Sequence, residues 1–147
     1  MGTMTVGSVV IDRPVEQVWA WLNDEQNELI WRRPYLKEIR RVGPYAVGTR
    51  FEGINNGGGK VDRFVDEVTE YQAPVRIAWR QMTDLATFPR SGSYTLEGHN
   101  GNTKFTLETE IAFTGIARVL ERPVSAMAKK MLGPKLLMQL KEAIEQA

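Results

Sequence analysis

The chain has 147 residues, 42% of them apolar and 25% charged, a size and balance that fit one soluble domain built around a single core. Nineteen Lys and Arg face eighteen Asp and Glu for a formal net charge of +1, so no broad field attracts a polyanion and no nucleic-acid partner is expected. There is no cysteine and only one histidine, His99, which excludes disulfides, thiolate nucleophiles and two-histidine metal motifs; no metal and no cofactor are expected.

Met1 to Val6 lacks a basic region followed by a long apolar run, and no stretch approaches the roughly 20 apolar residues that cross a bilayer. The expectation is a cytoplasmic protein with no integral membrane segment. Thr5 to Ile11 is rich in valine and threonine and stops before Pro14, which predicts a strand. Pro14 suits the first helical position, and Val15, Val18, Trp19 and Leu22 then recur at helical spacing to make one apolar face. Asp24 is placed to cap a second short helix running through about Trp31, which Pro34 prevents from continuing.

From Leu36 to Phe113 turn signals recur at intervals suited to an antiparallel meander. Val42-Gly43-Pro44 with Val47-Gly48, the run Asn55 to Gly59, Gln72-Ala73-Pro74 and Gly98 to Asn102 separate strands predicted near 36–42, 48–55, 60–70, 75–83, 88–97 and 103–113. Phe105, Leu107, Thr109, Ile111 and Phe113 alternate with Lys104, Thr106, Glu108 and Glu110, the pattern of a sheet wet on one face. Val75, Ile77 and Trp79 alternate with Arg76 and Arg80 in the same way.

Such a sheet needs a cover, and Gly115 to Ala147 supplies a helical pattern long enough to cross a domain. Ile116, Leu120, Val124, Met127 and Met131 form one stripe, whereas Leu137, Leu140 and Ile144 form another on almost the opposite side at about 100° per residue. The stripe jumps at Gly133-Pro134, where an interior proline predicts a kink or break. The fold class is α+β in one domain, 1–147, with the order β-α-α-β-β-β-β-β-β-α.

This order resembles the helix-grip architecture of the START-related superfamily, which includes lipid-transfer domains, the birch-pollen allergen group and bacterial polyketide cyclase-like proteins. The resemblance covers nearly the whole chain. It rests on Ile11-x-x-Pro14-x-x-x-Val18-Trp19-x-x-Leu22, on Trp31-x-x-Pro34, on Val47-Gly48-Thr49-Arg50-Phe51, and on Gly92-Ser93-Tyr94-Thr95-Leu96 with Gly101-Asn102-Thr103. It implies a curved antiparallel sheet gripping a long kinked C-terminal helix, with a cavity between them for an apolar or aromatic molecule. It does not imply one activity, because fold analogy transfers little chemistry.

The expected cavity lining is Phe51, Trp79, Gln81, Tyr94, Leu96, Phe105, Leu107, Leu120, Met127 and Met131. Tyr94 is in phase with Leu96, so its hydroxyl either orients a ligand or bonds within the core. Gln81 follows Trp79 in phase and is either a polar cavity contact or a solvated strand end. Met127 and Met131 offer a soft wall that is also ordinary core. Trp19 reads as structural, while Trp21, Tyr35 and Tyr45 are candidates for a pocket entrance. Glu52, Asp62, Arg63 and Asp66 read chiefly as exposed cross-strand ion pairs, the alternative being a buried carboxylate–arginine pair whose shifted pKa serves acid–base work; Arg32, Arg33, Lys37, Arg40 and Arg41 read as a solvated basic patch, and His99 as a surface residue in a turn.

Three functions stay open. The first is a binder of a hydrophobic small molecule, lipid-like or polyketide-like, favoured over an enzyme because no nucleophile–base or metal constellation is present. The second is a polyketide cyclase or aromatase-type enzyme without metal or covalent nucleophile, using Tyr94, Gln81 and Arg63. The third is a protein-interaction module, which requires an exposed patch that the sequence does not show. An ionisable group inside the cavity separates the second from the first. The ligand's identity and the oligomeric state lie beyond the sequence.

Overall fold

Strand β1 (Thr3–Ile11) ends at a turn in which Pro14 takes the cap position of helix α1 (Val15–Leu22), one residue earlier than the sequence places it. The Pro14 carbonyl accepts from the N–H groups of Gln17 and Val18. Val18, Trp19 and Leu22 are buried, as the 3.6-residue period requires. Asp24 accepts a hydrogen bond from the Gln26 N–H at 3.1 Å, but the segment it caps is a 3-10 turn (Glu25–Asn27) leading into a single helical turn, α2 (Glu28–Trp31). Asn27 donates to the Trp21 carbonyl at 2.8 Å and ties this turn back onto α1. This computed structural model describes residues 3–33, 36–56, 61–83, 89–111 and 133–147.

The remaining strands are β2 (Leu36–Val42), β3 (Arg50–Asn55), β4 (Asp62–Gln72), β5 (Arg76–Gln81), β6 (Ser91–His99) and β7 (Asn102–Ile111). With β1 they form one curved seven-stranded sheet in the order β1-β7-β6-β5-β4-β3-β2, every neighbour antiparallel. Strands β1 and β2 therefore lie at opposite edges, and the two short helices cross between them. Breaks in register at Leu36/Glu38 and Val68/Glu70 are bulges, which bend the strands and strengthen the local twist.

Strands β6 and β7 run further into their turn than the sequence predicts. Asn100 (φ 52°) and Gly101 (φ 82°) are both left-handed, so two residues close the hairpin and the flanking positions stay paired. Strand β3 starts later than predicted, because Gly48 (φ 93°) still belongs to the turn and donates its N–H to the Val68 carbonyl.

Helix α3 (Gly133–Gln146) packs on β1 and α2 and buries Leu137, Leu140 and Ile144, the predicted second stripe. A Cβ at Gly7 would stand 2.8 Å from Leu137 Cδ1, so the glycine is what lets the helix seat on β1. Its C-terminal turn is tied down by Glu145, whose carboxylate accepts from the Asp12 N–H at 2.8 Å and from Lys141 at 2.5 Å. The first half of the predicted helix, with its stripe from Ile116 to Met131, lies outside the described residues, and Gly133-Pro134, where the kink is predicted, opens the described helix. No helix among the described residues is long and apolar enough to cross a membrane.

Candidate functional site

Strands β2 to β6 and the two short helices line a recess that holds a cavity of about 50 Å³. Aromatic rings form much of its wall: Trp19, Tyr45, Phe51, Phe64, Trp79 and Tyr94. The sheet register explains why they converge. Phe51 pairs with Asp66 and Asp66 with Gln81, while Ile77 pairs with Tyr94 and Tyr94 with Leu107, so each row projects from one face.

Trp79 pairs with Gly92, and its indole lies against that glycine so closely that an added Cβ would sit 2.5 Å from a ring carbon. The missing side chain thus fixes the ring, which meets Tyr94 edge-on at 4.7 Å between centroids. Tyr45, on the connection between β2 and β3, stacks on Tyr71 at 6.2 Å and lies under the Arg41 guanidinium at 4.4 Å.

Against this aromatic wall stands a charged cluster. Glu28 opens α2 and Arg32 closes it, an i,i+4 pair on one helix face, with Nε and Oε2 2.7 Å apart. The Arg32 side chain is 25% exposed and that of Glu28 11%, so the pair sits at the inner end of an opening rather than on the surface. Arg32 Nη2 also donates to the Tyr94 hydroxyl, which lies 3.2 Å from both carboxylate oxygens of Glu28 and shares its one proton between them. The guanidinium lies over the rings of Trp31, Trp79 and Tyr94, at 4.7, 5.6 and 5.7 Å. Helix α3 secures this end of α2, since Gln139 Nε2 donates to the Trp31 carbonyl at 2.7 Å.

Asp66 on β4 completes the cluster. It is 6% exposed, between Phe64 and Val68 on the inward face, and its buried Oδ1 has no hydrogen-bond partner among the described residues. Burial pushes its pKa up to about 7; Arg32 pulls it down and the Glu28 carboxylate pushes it further up. Burial likewise raises Glu28 against the opposing pull of Arg32 and of the Tyr94 hydroxyl. The Tyr94 and Tyr45 hydroxyls are both held protonated, chiefly by burial. Burial works against the charge on Arg32, yet Glu28 and Tyr94 more than compensate and keep it firmly cationic. Among the described residues no three acidic or histidine side chains gather as a metal site.

Of the residues expected from sequence to line a cavity, Phe51, Trp79 and Tyr94 do so. Leu96 and Phe105 are packed in the core and Leu107 against it, none of them lining the recess. Gln81 shares the inward row of Asp66, but its amide donates to the Pro89 carbonyl at 3.1 Å and accepts from Thr83 at 2.8 Å, away from the lining. Leu120, Met127, Met131 and Tyr35 lie outside the described residues.

Two expectations are corrected. Arg32 belongs to no solvated patch, because α2 turns it inward onto Glu28 and Tyr94. Asp66 forms no exposed cross-strand pair, because it is in phase with buried Phe64 and Val68; Arg63, one residue before Phe64, is the exposed neighbour. Glu52 keeps the expected role and pairs with Arg40 at 2.5 Å on the wet face. The alternation Phe64-x-Asp66-x-Val68 and the spacing Glu28-x-x-x-Arg32 are the sequence signals that point to these two residues.

Comparison with known proteins agrees with this fold. Residues 3–145 match the family model described as polyketide cyclase / dehydrase and lipid transport. Among solved structures, a START superfamily protein from Mycobacterium smegmatis is similar with a TM-score of 0.79 at 14% identity, over 97% of each chain. A protein from Thermus thermophilus gives 0.77 at 18% identity, again over 97% of each chain. The Zhui aromatase/cyclase from Streptomyces sp. R1128 gives 0.76 at 13% identity, over 99% of this chain and 95% of that one. These TM-scores establish a shared fold. No curated protein matches the chain.

Proposed function

From the fact that the chain belongs to the polyketide cyclase / dehydrase and lipid transport family, we propose that its recess binds an apolar or aromatic small molecule, lipid-like or polyketide-like, with a ligand oxygen set against Arg32 and Tyr94. The observation that carries this reading is a buried ion pair at the inner end of an aromatic-walled opening. Stability alone is a poor reason for such a pair. At an effective dielectric of about 20 two charges about 4 Å apart gain roughly 4 kcal/mol, and desolvation takes back several kcal/mol per ion. Apolar side chains of similar volume commonly do as well, so the charges are better explained by what they hold. The cavity of about 50 Å³ at the base of the recess has room for a few waters that a ligand oxygen replaces, and the rest of the ligand lies in the open part of the recess.

Titration of the intrinsic fluorescence, to which Trp19 and Trp79 in the wall contribute, tests the proposal with a fatty acid, a flavonoid, 2-naphthol and naphthalene. Saturable binding is expected. Tyr94→Phe and Arg32→Met are expected to weaken the oxygen-bearing ligands about tenfold or more, as loss of a hydrogen bond to a charged group does, and to spare naphthalene. No saturable binding by any of the four refutes it.

A second reading, proton-transfer catalysis of the cyclase or aromatase type in the same recess, is favoured by one observation: the lining holds ionisable groups, among them Asp66 with its pKa of about 7. A carboxylic acid titrating close to neutrality suits general acid–base work. Turnover of a poly-ketone thioester that falls in Asp66→Asn while binding persists supports this reading, and binding without turnover refutes it.

A further inference from the structure

We infer that Asp66 Oδ1 is the receptor for a hydrogen-bond donor on the ligand, so that the recess selects aromatic molecules carrying a free phenolic or enolic hydroxyl over their O-alkylated counterparts. This rests on the recess being the binding site proposed above.

An ionised carboxylate only accepts hydrogen bonds, and a buried acceptor left unpaired is among the least tolerated features of a folded protein. Asp66 is 6% exposed, lines the recess, and has no hydrogen-bond partner at Oδ1 among the described residues. Among the described residues, the hydrogen bonds of the groups around it run to other partners. From α2, Arg32 pairs with Glu28 and donates through Nη2 to the Tyr94 hydroxyl, while its buried Nε makes no hydrogen bond among those residues. From β6, Tyr94 gives its proton to Glu28. From β5, Gln81 opposite Asp66 donates its amide to the Pro89 carbonyl. From β3, Phe51 offers no donor, and the charge of Glu28 repels a second carboxylate.

The missing donor is therefore to be supplied by whatever fills the recess. A carbonyl or ether oxygen does not meet this need, since it brings no proton. A protonated amine does, but the Arg32 guanidinium already acts on Asp66 from α2 and disfavours a second cation beside it. A neutral hydroxyl on an aromatic frame satisfies both the carboxylate and the rings of Phe51, Trp79 and Tyr45.

The test compares 2-naphthol, 2-methoxynaphthalene and 2-naphthylmethylamine by calorimetry with the intact protein at about pH 5.5 and about pH 8, both below the range near 10 in which phenols ionise. The expected result at the higher pH is naphthol binding about tenfold or more tighter than its methyl ether, the ratio typical of a charge-assisted hydrogen bond. At the lower pH Asp66 is protonated and the preference shrinks, because its pKa is about 7. In Asp66→Asn the pH dependence of the naphthol preference disappears.

Equal affinity for naphthol and its ether, a naphthol preference with the same pH dependence in Asp66→Asn, or tighter binding of the amine would each overturn the inference. If none of the three binds, the recess itself is not the ligand site and the inference falls with it. Binding of all three without discrimination leaves the recess as the binding site and refutes only the role of Asp66.

Discussion

Replacing Asp66 by asparagine removes a buried charge and keeps the shape of the side chain, and the structure fixes what this does to stability as a function of pH. The native carboxyl titrates at about 7 against an ordinary value of 3.8. Between those values the native state holds a proton that the unfolded chain has released, so the stability this proton confers falls as pH rises and is lost in full above about pH 7. Roughly three pH units at about 1.4 kcal/mol each set the penalty on the order of 4 kcal/mol, a ceiling rather than a net cost because Glu28 titrates in the same cluster. An asparagine amide in the same place is itself imperfectly bonded, at about 1–3 kcal/mol. Asp66→Asn is therefore expected to be about 1–3 kcal/mol more stable than the parent at pH 8, or roughly 3–9 °C in Tm for a chain of this length, and no more stable at pH 4.5. Urea denaturation of both proteins at several pH values measures the difference. A gap that is independent of pH, or one that favours the parent at pH 8, refutes the assignment of Asp66 as a buried, unpaired acid.

Other consequences are equally direct. Gly92→Ala forces a methyl group into the Trp79 indole, 2.5 Å from its nearest ring carbon, and is expected to cost about 1–3 kcal/mol and shift the tryptophan emission; an unchanged spectrum and stability would contradict the packing. Arg32→Met leaves Glu28 buried without its cation and is expected to destabilise by up to about 3–5 kcal/mol, less for the partial exposure of the pair, whereas Arg32→Met with Glu28→Leu recovers most of that loss; a double variant as unstable as the sum of the single ones argues against the pair. Leu140→Ala opens a void between α3 and the core and is expected to cost about 2–5 kcal/mol by thermal or chemical denaturation, and a loss under about 1 kcal/mol would show that α3 is not part of that core.

The division between what sequence and structure each reveal follows from the range of the interactions involved. Strand and helix order, the α1 face of Val18, Trp19 and Leu22, the stripe Leu137, Leu140 and Ile144, and the turn at Asn100-Gly101 all arise from contacts within a few residues, where the 2.0 and 3.6 periods and turn chemistry decide. Residue pattern alone is therefore enough to identify the scaffold and the family to which it belongs. Local pattern hints at each buried charge, Asp66 in phase with Phe64 and Val68 and Arg32 one helical turn after Glu28, but it does not say that they meet; only the register of β3, β4 and β5 with α2 folded across them brings Glu28, Arg32, Asp66 and Tyr94 around one recess. Glu28 and Tyr94 are 66 positions apart in sequence, and no local pattern encodes their hydrogen bond. The sequence determined the container; tertiary packing decided which of its polar groups were taken out of water, and burial without a partner is what turns an ordinary aspartate into the most informative residue of the site.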